Sequence, residues 1–262
     1  MEAFVNGIKL HYVDEGTGFP MIVLHGLGLD VHSMESVIHS FSTDFRVIAI
    51  DARGHGLSDK PADYSLSDHV RDVIAVMDFL KLDKVYLVGG SMGSYIAQGV
   101  AIAAPERVEK LVLVTPKSNG ETSSMARLFS EHAEELEGMD TPAKVQHLSR
   151  YMFHNLSLVG AWMQHVQEGG TSLTEEQNAA SNRALEGFDF RPDYGRITAE
   201  TLIISGKYDG LNPPEWGREI ADAIKGARFV EFLHSGHAPH VEEPERFVET
   251  VRSFLLAPPE QS

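Results

Sequence analysis

The chain has 262 residues, enough for one large domain or for one domain carrying an insertion. Hydrophobic residues make up 42% and charged residues 23%, which suits a folded core under a solvated surface and excludes a disordered or fibrous class. The net charge of −16 argues against nucleic acid and anionic membranes as partners, and the absence of cysteine excludes disulfides, thiolate metal sites and a Cys nucleophile.

The first residues lack a basic stretch followed by an apolar one, and no run of about 18 apolar residues occurs, so the expectation is a cytoplasmic protein without a membrane span. Phe4–Val5 and residues 8–13 flank Asn6-Gly7, a pair suited to a tight type I′ turn, and predict a hairpin. Four apolar runs rich in Val, Ile and Leu follow at 21–25, 47–50, 85–88 and 111–114. They read as strands buried on both faces of a parallel sheet. Residues 66–80 predict a helix capped by Ser65 or Ser67, with Val70, Val73, Ile74, Met77 and Leu80 on one face. A second, Ala-rich helix spans 91–104 and stops before Pro105. This alternation predicts an α/β fold: a mostly parallel central sheet flanked by helices.

Between Lys117 and Arg196 the alternation breaks. Helical patterns cover 125–137, 143–153, 158–167 and 175–186, the last opened by a capping box of Thr174 and Gln177. Strand and helix patterns then resume at 201–205, 213–224, 229–233 and 244–256, and the tail 257–262 reads as frayed. The expected organisation is an α/β core from 1–116 and 197–262, interrupted by a helical cap at 117–196. The apolar cap residues Met125, Phe129, Met152, Phe153, Trp162 and Met163 are expected to line a substrate pocket, because such pockets are mostly apolar.

The segment Gly89-Gly90-Ser91-Met92-Gly93 fits G-x-S-x-G between a strand and a helix, the setting of a nucleophile elbow. A serine needs a base oriented by a third group. Asp209 follows the strand at 201–205 and would stand at the carboxyl end of the sheet, where open α/β sheets build their sites. After the last strand, His234, His237 and His240 compete as the base. His234 is too close to the strand end and His240 reads as a loop or helix-entry residue. The preceding glycine and the Glu242-Glu243-Pro244 run select His237. Two backbone donors would form an oxyanion hole, Met92 after the nucleophile and Leu27 in His25-Gly26-Leu27-Gly28. No histidine spacing suggests a metal site, and the expected chemistry needs neither metal nor cofactor.

Together, His25–Gly28, Asp51-Ala52-Arg53-Gly54-His55-Gly56-Leu57-Ser58-Asp59, Gly89–Gly93 and Gly236-His237 with Glu243-Pro244 resemble the α/β-hydrolase superfamily over nearly the whole chain. Within it the chain resembles the 3-oxoadipate enol-lactonase and small carboxylesterase group, supported by Ala104-Pro105-Glu106-Arg107-Val108 running into a strand. The resemblance implies that residues 51–59 form a structural turn at the cleft edge, and that a small-molecule ester or lactone is the substrate. Haloalkane dehalogenases and epoxide hydrolases use Asp where this chain has Ser91, which argues against them. Carbon–carbon hydrolases of the meta-cleavage type carry a longer Gly-rich oxyanion loop, and cofactor-free haloperoxidase-like esterases share the triad. Both stand as alternatives, as does a small-ligand receptor that keeps the triad without turnover.

Overall fold

A computed structural model describes residues 1–258. The expected fraying of the tail falls largely on residues 259–262, which lie outside the described residues.

Eight strands form one sheet: β1 (Glu2–Val5), β2 (Ile8–Glu15), β3 (Pro20–Leu24), β4 (Arg46–Ile50), β5 (Val85–Gly90), β6 (Val108–Val114), β7 (Glu200–Gly206) and β8 (Arg228–Phe232). Their spatial order is β1-β2-β4-β3-β5-β6-β7-β8. The first two strands are an antiparallel hairpin, and β2 runs antiparallel to β4; every other pairing is parallel. Asn6 and Gly7 turn that hairpin with φ of 50° and 75°, as a type I′ turn requires.

The central strands are apolar through their buried middles because helices cover both faces. Ile22, Leu24, Ile48, Ile50, Leu111 and Leu113 face α2 (Leu66–Phe79), α3 (Met92–Ala103) and α8 (Pro214–Ala223). The alternate residues Met21, Val23, Val47, Ala49, Val112 and Val114 face α1 (Glu35–Phe41) and α10 (Pro244–Leu256). Ser65 caps α2 in a capping box with Asp68, whose Oδ2 accepts the Ser65 N–H at 2.8 Å. The sequence patterns had no helix between β3 and β4. A 3-10 turn at Val31–Met34 and the seven-residue α1 stand there, too short to show a period.

Four helices fill the gap between β6 and β7: α4 (Ser124–Glu131), α5 (Thr141–Met152), α6 (Leu156–Gly169) and α7 (Glu175–Arg183). Each starts at a side-chain cap, Ser123, Asp140, Asn155 and Thr174 in turn, the last in the expected box with Gln177. Helix α4 ends six residues before the expected Glu137, in turns that bury Leu136 with Leu128 and Leu148. The stretch after α7 returns to the main core early, since Tyr194 is buried in it and Phe188 and Phe190 pack against it. Between β8 and α10 lies the short α9 (Pro239–Glu242).

Candidate active site

The turn from β5 into α3 places Ser91 at φ 51° and ψ −119°. A non-glycine residue there stores of order 1–3 kcal/mol of strain, held by its surroundings. The Ser91 N–H donates to the Val114 carbonyl at 2.9 Å, tying the turn to β6. A Cβ on Gly89 would lie 2.1 Å from the Gly93 carbonyl oxygen, and one on Gly93 would lie 2.2 Å from that of Leu24. Glycine at both positions is therefore a packing requirement of the turn.

His237 follows β8 and brings Nε2 to 2.9 Å from Ser91 Oγ, while its Nδ1 lies 2.8 Å from Asp209 Oδ2. Asp209 stands in the loop after β7 and is 2% exposed. Its other oxygen, Oδ1, accepts the N–H groups of Leu211 and Asn212, both at 2.9 Å. Those bonds satisfy the buried carboxylate and aim Oδ2 at the imidazole.

The end of α5 fixes both loops. The His237 N–H donates to the Met152 carbonyl at 2.7 Å, and the Gly210 N–H to the Tyr151 carbonyl at 2.8 Å. Glu242, which sequence patterns marked only as part of a helix start, ties the same elements from the other side. Its Oε1 accepts the N–H groups of His154 and Asn155 at 2.7 Å, and its Oε2 accepts that of Gly236 at 2.7 Å. One buried carboxylate thus joins the start of α6 to the loop that carries His237.

Met92 opens α3, where the first N–H groups lack helical acceptors and carry the positive end of the dipole. Leu27 and Met92 line the same cavity as Ser91 and His237. His25 braces the Leu27 loop: its Nδ1 donates to the Gly26 carbonyl at 2.8 Å and its Nε2 accepts the Ala52 N–H at 3.0 Å. Burial lowers its pKa, which keeps the ring neutral.

The cavity has a volume of about 420 Å³ and is lined by the core on one side and the inserted helices on the other. Met125, Met152, Phe153, Trp162 and Met163 line it. Phe129 does not. One turn beyond Met125, it packs against Leu128, Leu136 and Leu148 in the inserted segment's own cluster.

A family model described as the alpha/beta hydrolase fold matches residues 20–244. The chain belongs to the α/β-hydrolase family. This hydrolase is 31% identical to the pimeloyl-(acyl-carrier protein) methyl ester esterase of Nitrosomonas europaea, over 92% of its own chain and 97% of that one. It is 30% identical to the 2-hydroxymuconate semialdehyde hydrolase of Pseudomonas putida, over 97% and 93%. Among solved structures, the enol-lactonase from Burkholderia xenovorans LB400 superposes with a TM-score of 0.82 at 30% identity, covering 98% of this chain and all of that one.

One expectation changes in the structure. The loop at 51–59 of the hydrolase is structural, but none of its residues lines the cavity. Asp51 is buried, accepts the N–H groups of Val31 at 2.8 Å and Leu57 at 2.9 Å, and contacts His11 Nδ1 at 2.8 Å. Gly56 has φ 54°, and a Cβ there would strike that carboxylate. His240 is a helix-entry residue, second in α9, and lines the cavity with its ring edge-on to Trp162. Burial pushes it down to about 4, so it is neutral, whereas His234 is exposed and does not line the cavity.

Sequence reasoning missed a polar network beside Ser91. Asn212 Nδ2 donates to Tyr95 Oη at 2.8 Å and to the Thr115 carbonyl at 2.7 Å, and its Oδ1 accepts from Ser124 Oγ at 2.7 Å. Burial pushes the Tyr95 hydroxyl up to about 12, so it stays a neutral donor. As for metal ligands, His32, Glu35 and His165 bring donor atoms within 4.8 Å of one another, on the surface and away from the cavity lining.

Proposed function

We propose that this hydrolase cleaves a carboxylic ester or lactone through an acyl-enzyme. The observation that carries the reading is the continuous hydrogen-bond path Ser91–His237–Asp209 opening into a mostly apolar cavity. Ser91 Oγ attacks the carbonyl carbon as His237 Nε2 takes its proton. Asp209 holds the tautomer that leaves Nε2 free to accept, and stabilises the imidazolium that forms. The N–H groups of Leu27 and Met92 hold the tetrahedral oxyanion, helped by the α3 dipole. The intermediate collapses with return of the proton to the leaving alkoxide. Water, deprotonated by His237, then attacks the acyl-enzyme and releases the acid. The inserted helices act as a cap that sets substrate choice.

The test is labelling of the native protein by a fluorophosphonate, with turnover measured across p-nitrophenyl esters, lactones and a meta-cleavage dienoate. Labelling at Ser91 and ester or lactone turnover are expected, and Ser91→Ala should lower kcat by roughly 10⁴-fold or more. Near-normal esterase turnover by pure Ser91→Ala overturns the reading. Similarity to a semialdehyde hydrolase supports a second one, attack of the same serine system on a ketone with carbon–carbon cleavage. Turnover of the dienoate alone selects it.

A further inference from the structure

The chain leaving β6 carries Lys117 into the wall of the catalytic cavity. Thr115, two residues earlier, has φ 48° and turns the backbone, and the buried Gln98 holds it by donating from Nε2 to the Lys117 carbonyl at 3.2 Å. The Lys117 side chain is buried with the residue 6% exposed. Its Nζ donates to the Thr122 carbonyl at 2.9 Å. It sits 5.8 Å from the ring centre of Tyr95 and 5.9 Å from that of Phe188. Tyr95 stands one turn after Ser91 on α3, and Ser91, Tyr95 and Lys117 line the same cavity.

An ammonium has three N–H donors and no acceptor. Among the described residues, one carbonyl accepts from this one and no carboxylate pairs with it. Glu186 also lines the cavity but is exposed at its rim, Glu121 is paired with Arg191, and the charge that acts on Lys117 is the like charge of Arg127. Burial, with a smaller contribution from Arg127, lowers Lys117 to about 8, so at neutral pH it still carries its charge. Buried charges are ordinarily paired, whereas this one has one carbonyl and two ring faces in a residue that lines the cavity. Ser123 lines the same wall; its Oγ accepts from Ala126 N–H, leaving the hydroxyl hydrogen to donate.

We propose that Lys117, with the Ser123 hydroxyl, forms a carboxylate-binding subsite in the catalytic cavity, so that the substrate carries a carboxylate besides its scissile ester or lactone. The inference rests on the hydrolytic reading above and adds the substrate's charge to it. A carboxylate entering this wall supplies the missing counterion and accepts the free ammonium hydrogens. It thereby orients the scissile carbonyl over Ser91, and such charge-assisted pairing discriminates strongly against a neutral isostere.

Two substrate pairs test it, each a carboxylate and its methyl ester: p-nitrophenyl hemiglutarate, with the charge on the acyl side, and 4-acetoxybenzoate, with the charge on the leaving group. The native enzyme should prefer the charged member of one pair by about tenfold or more in kcat/KM. Lys117→Met should collapse that charged-to-neutral ratio, mainly through KM, and Lys117→Arg should restore part of it. Charged-to-neutral ratios at or below one in both pairs overturn the proposal, as does a ratio unchanged in Lys117→Met. Equal losses on both members of a pair also overturn it, because they mark Lys117 as a structural tie to Thr122. Should Lys117→Met fail to fold, the native ratios and Lys117→Arg still decide. If none of the four esters is cleaved, the hydrolytic reading fails by itself. Calorimetric binding of glutarate to native protein then tests the subsite separately: binding weakened in Lys117→Met supports it, and no binding overturns it.

Discussion

Asp209 and Asp51 are both buried carboxylates, 2% and 1% exposed, yet their surroundings assign them different work. Asp209 spends one oxygen on two backbone N–H groups and presents the other to His237. Asp51 spends both on the loops after β3 and β4 and on His11. Asp209→Asn can keep the backbone bonds through Oδ1 but turns an NH₂ toward His237 Nδ1. The imidazole must then accept there and carry its proton on Nε2, facing Ser91. This substitution should cost up to about 10⁴-fold in kcat with little change in melting temperature. Asp51→Asn should reverse that balance, lowering the melting temperature more than kcat. A larger kcat loss at Asp51 than at Asp209 would move the orienting acid to Asp51. Glu242 shows no such division of labour in the sequence, because its partners lie on other elements: it binds N–H groups 88 and 87 residues away.

The inserted helices hold two kinds of apolar residue that a helical period does not separate. Met125, Met152, Phe153, Trp162 and Met163 line the cavity, whereas Phe129 packs inside the segment. Apolar pockets discriminate one methylene by about 1–3 kcal/mol. Alanine at the five lining positions should therefore shift the ratio of kcat/KM between short and long acyl chains. Phe129→Ala should act through stability, read as a drop in melting temperature without that shift. A chain-length series on p-nitrophenyl esters measures both. Unchanged selectivity in all five folded variants would leave the cap without a part in substrate choice. The helices themselves were legible because each begins at a polar cap before a periodic run. Which face meets the cavity was not, since that depends on how the segment sits on the core.

Acid sensitivity belongs to the whole molecule. His55, in the loop at 51–59, and His69, on α2, are buried near one another, and burial pushes both down to about 3, while His240 falls to about 4. In the unfolded chain each titrates near 6.5. Between those values the unfolded state binds protons that the folded state refuses, so stability rises with pH across the window and falls as pH drops below 6.5. The slope is about 1.4 kcal/mol per pH unit for each histidine, and the loss is complete near pH 3 for His55 and His69. Urea midpoints between pH 7 and 5 should therefore decline steeply, before most carboxylates titrate. His69→Phe should flatten the decline, since both ring nitrogens of His69 lack a partner. A midpoint constant over that range would mean that these rings are protonated inside the fold.

The sheet, its sandwiching helices and the chain order Ser91, Asp209, His237 were legible without coordinates, because each rests on a local signal. A strand buried on both faces is apolar throughout, a helix repeats every 3.6 residues, and the elbow needs glycine where strand and helix nearly touch. The short helix α1 escaped, its seven residues giving less than two full repeats. Tertiary structure alone decided the rest. It set Phe129 apart from the cavity, drew residues 188–197 back onto the core, kept the 51–59 loop off the cavity wall, and placed the Lys117 ammonium over the rings of Tyr95 and Phe188. The physical reason is common to all four. Burial and pairing depend on which distant chain segments share the same space, and that is settled by the packing of the whole molecule rather than by any window of sequence.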